Sequence, residues 1–232
     1  MALYLGSKKV SPTKTITKEV SSMKPFFDAG GKCAYSIATS FDGAIQYNDT
    51  SNVTDMSYMF SNCFSLTTIP LLDTSNVTNM YSMFQSCSKL TTIPQLDTSN
   101  VTGMINMFGS CSKLTTIPQL DTSNVTDMNR MFFNCASLTS VPQLDTSNVT
   151  DMNRMFSNCS RLEEIHMINM KVSFDIHYST KFTREALLEI INNCYDLTTL
   201  GKTETLTMGS TNLAKLTDED KLIATNKGWT LA

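Results

Sequence analysis

Residues 73–96 read DTSNVTNMYSMFQSCSKLTTIPQL, and residues 97–120 read DTSNVTGMINMFGSCSKLTTIPQL. The same unit opens again at Asp49, Asp121 and Asp145. Cys63, Cys87, Cys111, Cys135 and Cys159 recur at the same step of 24. Five copies therefore cover residues 49–162 without an insertion. One unit has too few apolar groups to close a core of its own. Stacked units share a core, so the pattern predicts a repeat array.

Inside the unit, Leu90-Thr-Thr-Ile93 is β-branched and bounded by Pro94, which predicts a short strand. Met80, Met83 and Phe84 fall at i, i+3 and i+4, the spacing of one apolar face of a helical turn. Cys87 lies seven residues past Met80, on the same face. The expectation is strand, turn, helical turn and return, with parallel strands about 4.8 Å apart and five units about 24 Å long. Val, both Met, Phe, Cys, both Leu and Ile then point inward. Asn52, Asn76, Asn100, Asn124 and Asn148 are expected to form a ladder, each bonding the backbone of the next unit. The Asp, Thr and Ser before them suit caps and Asx-turns.

The flanks differ. Residues 1–48 carry six lysines against Glu19, Asp28 and Asp42, and read as a basic arm followed by a cap. Asp42-Gly43 between Tyr35–Phe41 and Ala44–Tyr47 is a hairpin signal. Beyond Leu162 the period decays. Glu163–Met167, Val172–Ile176, Leu197–Leu200 and Thr205–Met208 read as strands. Thr183 starts a helix whose buried stripe is Ala186, Leu187, Ile190, Ile191 and Cys194. Leu216–Asp220 caps a last helix, and Trp229 with Leu231 finishes as a strand. The chain thus divides into 1–48, arm and cap; 49–162, five repeats; and 163–232, irregular repeats and a C-terminal cap.

Composition narrows the function. The formal net charge is −3, against a general nucleic-acid binder. No apolar run reaches the ~18 residues of a membrane span, and the first twenty residues read as no signal peptide. Two histidines, His166 and His177, and no nucleophile, phosphate-loop or zinc-protease motif argue against an enzyme. Glu163 and Glu164 are the carboxylates to test first for glycoside hydrolysis. The repeated cysteines and methionines read as core, and no cofactor or metal is expected. The Asp column reads as turn caps in preference to calcium ligands.

The candidate binding face is the uniform one: Thr68, Thr92, Thr116 and Ser140, with Gln95, Gln119 and Gln143. Regularly spaced hydroxyls and amides suit a glycan or an extended peptide. Arg130 and Arg154, one unit apart and facing outward, form a basic candidate for an anionic group.

The pattern L-T-T-I-P-x-L-D-T-S-N-V-T-x-M-x-x-M-F-x-x-C resembles the bacterial BspA-like leucine-rich repeat. That resemblance implies an α/β right-handed solenoid with a parallel sheet on one face. It also implies a surface adhesion or interaction module without catalysis, whose partner is a protein or polysaccharide. Residues 206–231 (LTMGSTNLAKLTDEDKLIATNKGWTL) and 3–12 (LYLGSKKVSP) resemble the ends of phage tail-associated and prophage proteins of Gram-positive bacteria. This second resemblance implies a virion location and an alternative role as a structural tail component, with homo-oligomers formed through the sheet. Neither nucleic acid nor membrane insertion is expected.

Overall fold

A computed structural model describes residues 3–5, 8–10 and 50–232, Pro70 excepted. The expected hairpin around Asp42-Gly43 lies outside the described residues. A short antiparallel pair joins β1 (Leu3–Leu5) to β2 (Lys8–Val10).

From Thr50 onward the 24-residue units stack on one another. Phe60, Phe84, Phe108, Phe132 and Phe156 form a column of parallel rings, with centroids 5.5–5.8 Å apart and planes within 7°. The Val, Met, Met, Phe, Cys and Leu columns are buried throughout the five units. Each of Cys87, Cys111, Cys135 and Cys159 donates its thiol proton to the carbonyl of a Phe 27 residues earlier, at 3.0–3.1 Å. Burial pushes Cys111 and Cys159 up to about 12, so these thiols stay protonated donors at neutral pH. Cys63 departs from its column: it is disulfide-bonded, whereas the other four are free.

The connections between units differ from the expected strand and helix. The M-x-x-M-F segment forms turns and not helix, because Tyr58, Ser82, Asn106, Arg130 and Arg154 all take positive φ, from 51° to 59°. Within it, alternate N–H groups point along the stack. Met56, Tyr58, Phe60 and Asn62 donate to the carbonyls of Asn79, Tyr81, Met83 and Gln85 of the next unit. Isolated parallel bridges mark this ladder from Asp55 through Asn79, Gly103 and Asp127 to Asp151.

The expected strand column has little backbone pairing. Proline stands in it at Pro94, Pro118 and Pro142 and removes a donor from each unit. Single backbone bonds remain from the Thr115 N–H to the Thr91 carbonyl and from the Thr139 N–H to the Thr115 carbonyl, each at 3.1 Å. Only the last regular step makes a true pair. β3 (Ser140–Asp145) runs parallel to β4 (Glu164–Ile168), where His166 replaces the proline.

The turns match expectation more closely. Asp73, Asp97 and Asp121 each accept from the N–H and hydroxyl of the Ser two residues on. The Asn ladder forms with reversed direction: Asn76, Asn100, Asn124 and Asn148 donate to a Ser carbonyl of the preceding unit at 2.7–2.8 Å. A buried Thr column lies beside it, Thr98 donating to the Asp121 carbonyl at 2.8 Å.

Past Leu162 the units become irregular. β5 (Phe174–Asp175), β6 (Glu204–Thr207) and β7 (Trp229–Leu231) form a parallel sheet in chain order. Helix α1 (Arg184–Asn193) starts at its Thr183 cap and buries Leu187, Ile190 and Ile191. Leu197–Leu200 is a 3-10 helix and not a strand, since Asp196 accepts from the Thr198 N–H and Gly201 ends it at φ 63°. After the short α2 (Ser210–Leu213), α3 (Asp218–Asn226) begins with a capping box of Thr217 and Asp220.

Asp220 also receives both Nε and Nη2 of Arg184, at 2.8 and 2.7 Å, which ties α3 to α1. The Arg184 bond, followed by the Thr217 N–H, holds the Asp220 carboxyl below its usual value. A carboxylate with a lowered folded pKa stabilises the fold above its unfolded pKa and loses that contribution as pH falls. Asp220→Asn is expected to lower the urea midpoint at pH 7 and to flatten its decline below about pH 4. Equal declines in both proteins would remove Asp220 from the acid transition.

Candidate binding surface

The structure separates the two threonine columns that the sequence leaves alike. In one, Thr115 and Thr139 donate their hydroxyls to the Thr91 and Thr115 carbonyls at 3.3 and 3.2 Å. These hydroxyls hold one unit to the next. In the other, Thr68, Thr92 and Thr116 are exposed, and their hydroxyls bond no other described residue. Ser140 continues that column, half-buried at the start of β3.

The glutamines take a structural part. Gln95 Nε2 donates to the Gln119 carbonyl at 2.6 Å, and Gln119 Nε2 to the Gln143 carbonyl at 2.5 Å. The side-chain amide supplies a donor next to the proline that lacks one. Gln95 and Gln119 therefore brace the face, while their other amide edges remain at an exposed surface. Lys89 and Lys113 stand exposed one unit apart, three residues before Thr92 and Thr116.

Arg130 and Arg154 have different surroundings. The Arg130 guanidinium sits 6.0 Å from the Phe133 ring centroid, a cation–π contact. Arg154 instead lines a cleft of about 480 Å³ between the last regular unit and the C-terminal sheet. Asp151, Ser173, Asp175 and Glu204 share that cleft. Glu204 accepts from the Ser173 N–H and hydroxyl at 2.9 and 2.6 Å and from Lys202 at 3.1 Å. Burial raises its carboxyl pKa, but the Ser173 and Lys202 bonds outweigh this and leave it below the usual value. Asp175 accepts from the N–H and Nδ1 of His177, at 2.8 and 2.5 Å.

Sequence reasoning singled out Arg154 but missed Ser173, Asp175 and Glu204. The signal lay in the sixth unit, where Met170-Lys-Val-Ser-Phe174 stands in register with Thr146-Ser-Asn-Val-Thr150. Glu163 and Glu164 lie exposed outside the cleft, and His166 Nδ1 lies 2.6 Å from Glu189. No helix among the described residues is long and apolar enough to cross a membrane.

Stacked 24-residue units with a shared core, small parallel sheets and an outward hydroxyl column define a repeat-built protein. The chain belongs to the family described as "Mycoplasma protein of unknown function, DUF285", whose profile matches twice, over residues 13–114 and 91–186. The match is consistent with the BspA-like repeat resemblance and stops short of the C-terminal segment that carries the phage-tail resemblance. No curated protein and no solved structure matches the chain.

Proposed function

We propose that the chain is a right-handed leucine-rich-repeat solenoid acting as a non-enzymatic adhesion module at a cell surface. It presents a rigid repeat surface to a glycan or protein partner. The observation that carries this reading is the column of hydroxyls at Thr68, Thr92 and Thr116, which bond no other described residue, beside Lys89 and Lys113. The ladder beneath fixes their spacing before any partner arrives. Little ordering entropy is then lost on binding, and weak contacts add along the column.

The test is retention of labelled protein on Gram-positive cells, purified wall polysaccharide and immobilised matrix proteins. Thr92→Val with Thr116→Val is expected to weaken retention by about thirtyfold at an unchanged melting temperature, since two hydrogen bonds are lost at roughly 1 kcal/mol each. Thr115→Val is expected to do the opposite, lowering stability and sparing retention. No retention on any of these surfaces, together with a trimer in solution, would move the reading to a structural spacer of a phage tail.

A further inference from the structure

The turn ladder has one broken step. At each earlier step the first, third and fifth N–H groups of the M-x-x-M-F segment find carbonyls in the next unit. Thus Met128, Arg130 and Phe132 donate to Asp151, Asn153 and Met155 at 2.9–3.0 Å. One unit later, Met152, Arg154 and Phe156 have no acceptor among the described residues. The next unit instead pairs forward, Ile176 donating to the Thr207 carbonyl at 2.8 Å. The substitution in the sixth unit explains the break. Val149 and Thr150 face inward and outward, whereas their counterparts Ser173 and Phe174 are exposed and buried. That exchange turns the chain over by one residue, and the backbone leaves register with the unit before it.

The cleft of about 480 Å³ lies at this seam, within the size range of small-ligand pockets. Its repeat-side wall offers donors: the N–H groups of Met152 and Arg154 and the Arg154 guanidinium, which has no partner among the described residues. Asp175 and Glu204 bring carboxylate acceptors to the lining, and the half-buried Val172 also lines the cleft. Asp151, Asp175 and Glu204 outnumber Arg154, so an anion would meet a net negative lining. A straight peptide strand does not match the donor edge either. Arg154 sits at φ 57° in a turn, and every partner this edge meets elsewhere is turned in the same way.

We infer that the seam cleft binds a neutral N-acetylated sugar, an inference that rests on the glycan side of the reading above. The acetamido carbonyl accepts from the Met152 and Arg154 N–H groups and the Arg154 guanidinium. Ring hydroxyls donate to Asp175 and Glu204, and the apolar sugar face lies on Val172.

The test is titration of the full ¹⁵N-labelled chain with N-acetylglucosamine and its β-1,4 disaccharide, with glucose and glucuronic acid as comparisons. Saturable amide shifts at Met152, Arg154 and Thr205 are expected with the N-acetylated sugars. Glucose and glucuronic acid should bind at least about tenfold more weakly, the loss of one charge-assisted bond. Arg154→Asn keeps a residue that the chain itself uses in this turn, at Asn106 with φ 55°. It should weaken binding by about tenfold, while Asn106→Ser in the same turn two units earlier leaves it unchanged. Silence at Met152 and Arg154, equal shifts with glucose, or an Arg154→Asn protein that binds as before would overturn the inference. Shifts confined to Thr92 and Thr116 would overturn it too, yet leave the repeat-surface reading standing. Saturation of the seam by an unstructured polypeptide and not by sugars would also sink it.

Discussion

Phe108→Ala is expected to lower the unfolding free energy by about 3–5 kcal/mol, the usual effect of deleting a fully buried aromatic ring. Phe108 is inaccessible to solvent and stands mid-column, 5.6 Å from both Phe84 and Phe132. Its removal leaves a void shared by two unit interfaces, and each lost ring pair adds about 0.5–1.5 kcal/mol to the area term. A repeat array holds together through nearest neighbours, so weakening two adjacent interfaces also loosens the coupling between its halves. The guanidinium transition should therefore move to lower denaturant and broaden. Phe64→Ala is the comparison: Phe64 is half exposed, and its loss should shift stability by less than about 0.5 kcal/mol. Similar effects of the two substitutions would mean that the phenylalanine column does not hold the stack.

The inward columns were legible because hydrophobic burial reads directly from spacing. Val101, Met104, Met107, Phe108, Cys111 and Leu114 are inaccessible to solvent, as the third unit's pattern requires. The turns in M-x-x-M-F were less legible. Apolar groups at i, i+3 and i+4 fit a helix, but they also fit a chain that reverses every four residues. The discriminating signal was in the outward positions. Asn62, Ser86, Ser110, Asn134 and Asn158 all take positive φ, a conformation Asn tolerates well and helix interiors never use. The strand reading of L-T-T-I overlooked that the proline recurring at Pro94, Pro118 and Pro142 lines up with itself and removes the same ladder donor each time.

The candidate site was legible only in part. Thr91 and Thr92 are neighbours of the same type, and no sequence pattern tells which hydroxyl faces a carbonyl of the adjoining unit. The seam cleft was harder still. It arises from residues 150–154, 172–175 and 204–207, and its cause is a missing backbone contact, which a repeat alignment records only as decay of the pattern.

A second large effect is expected in alkali. Burial holds Cys111, Cys159 and Cys194 up to about 12, and raises Cys87 and Cys135 well above the ordinary thiol value. In the unfolded chain a thiol loses its proton near pH 8.5, about three units earlier. Between those values the unfolded state binds fewer protons than the native one, so stability falls as pH rises. It is fully present below about pH 8.5. Each such thiol then contributes a slope of about −1.4 kcal/mol per pH unit, and three together about −4. Against a total of roughly 5–15 kcal/mol, the fold should fail before pH 12. Urea midpoints from pH 7 to 10.5 read the slope. Tyrosines ionising in the unfolded chain add to it, so the difference between wild type and Cys111→Ala isolates one thiol. That variant loses the bond to the Phe84 carbonyl and starts less stable, yet its decline should be shallower by about 1.4 kcal/mol per pH unit. Iodoacetamide at pH 8.5 should leave Cys87, Cys111, Cys135, Cys159 and Cys194 unlabelled until urea unfolds the chain. Labelling of the folded protein, or an unchanged slope in Cys111→Ala, would show that the thiol column is open to solvent and that its hydrogen bonds to the Phe carbonyls do not hold the units together.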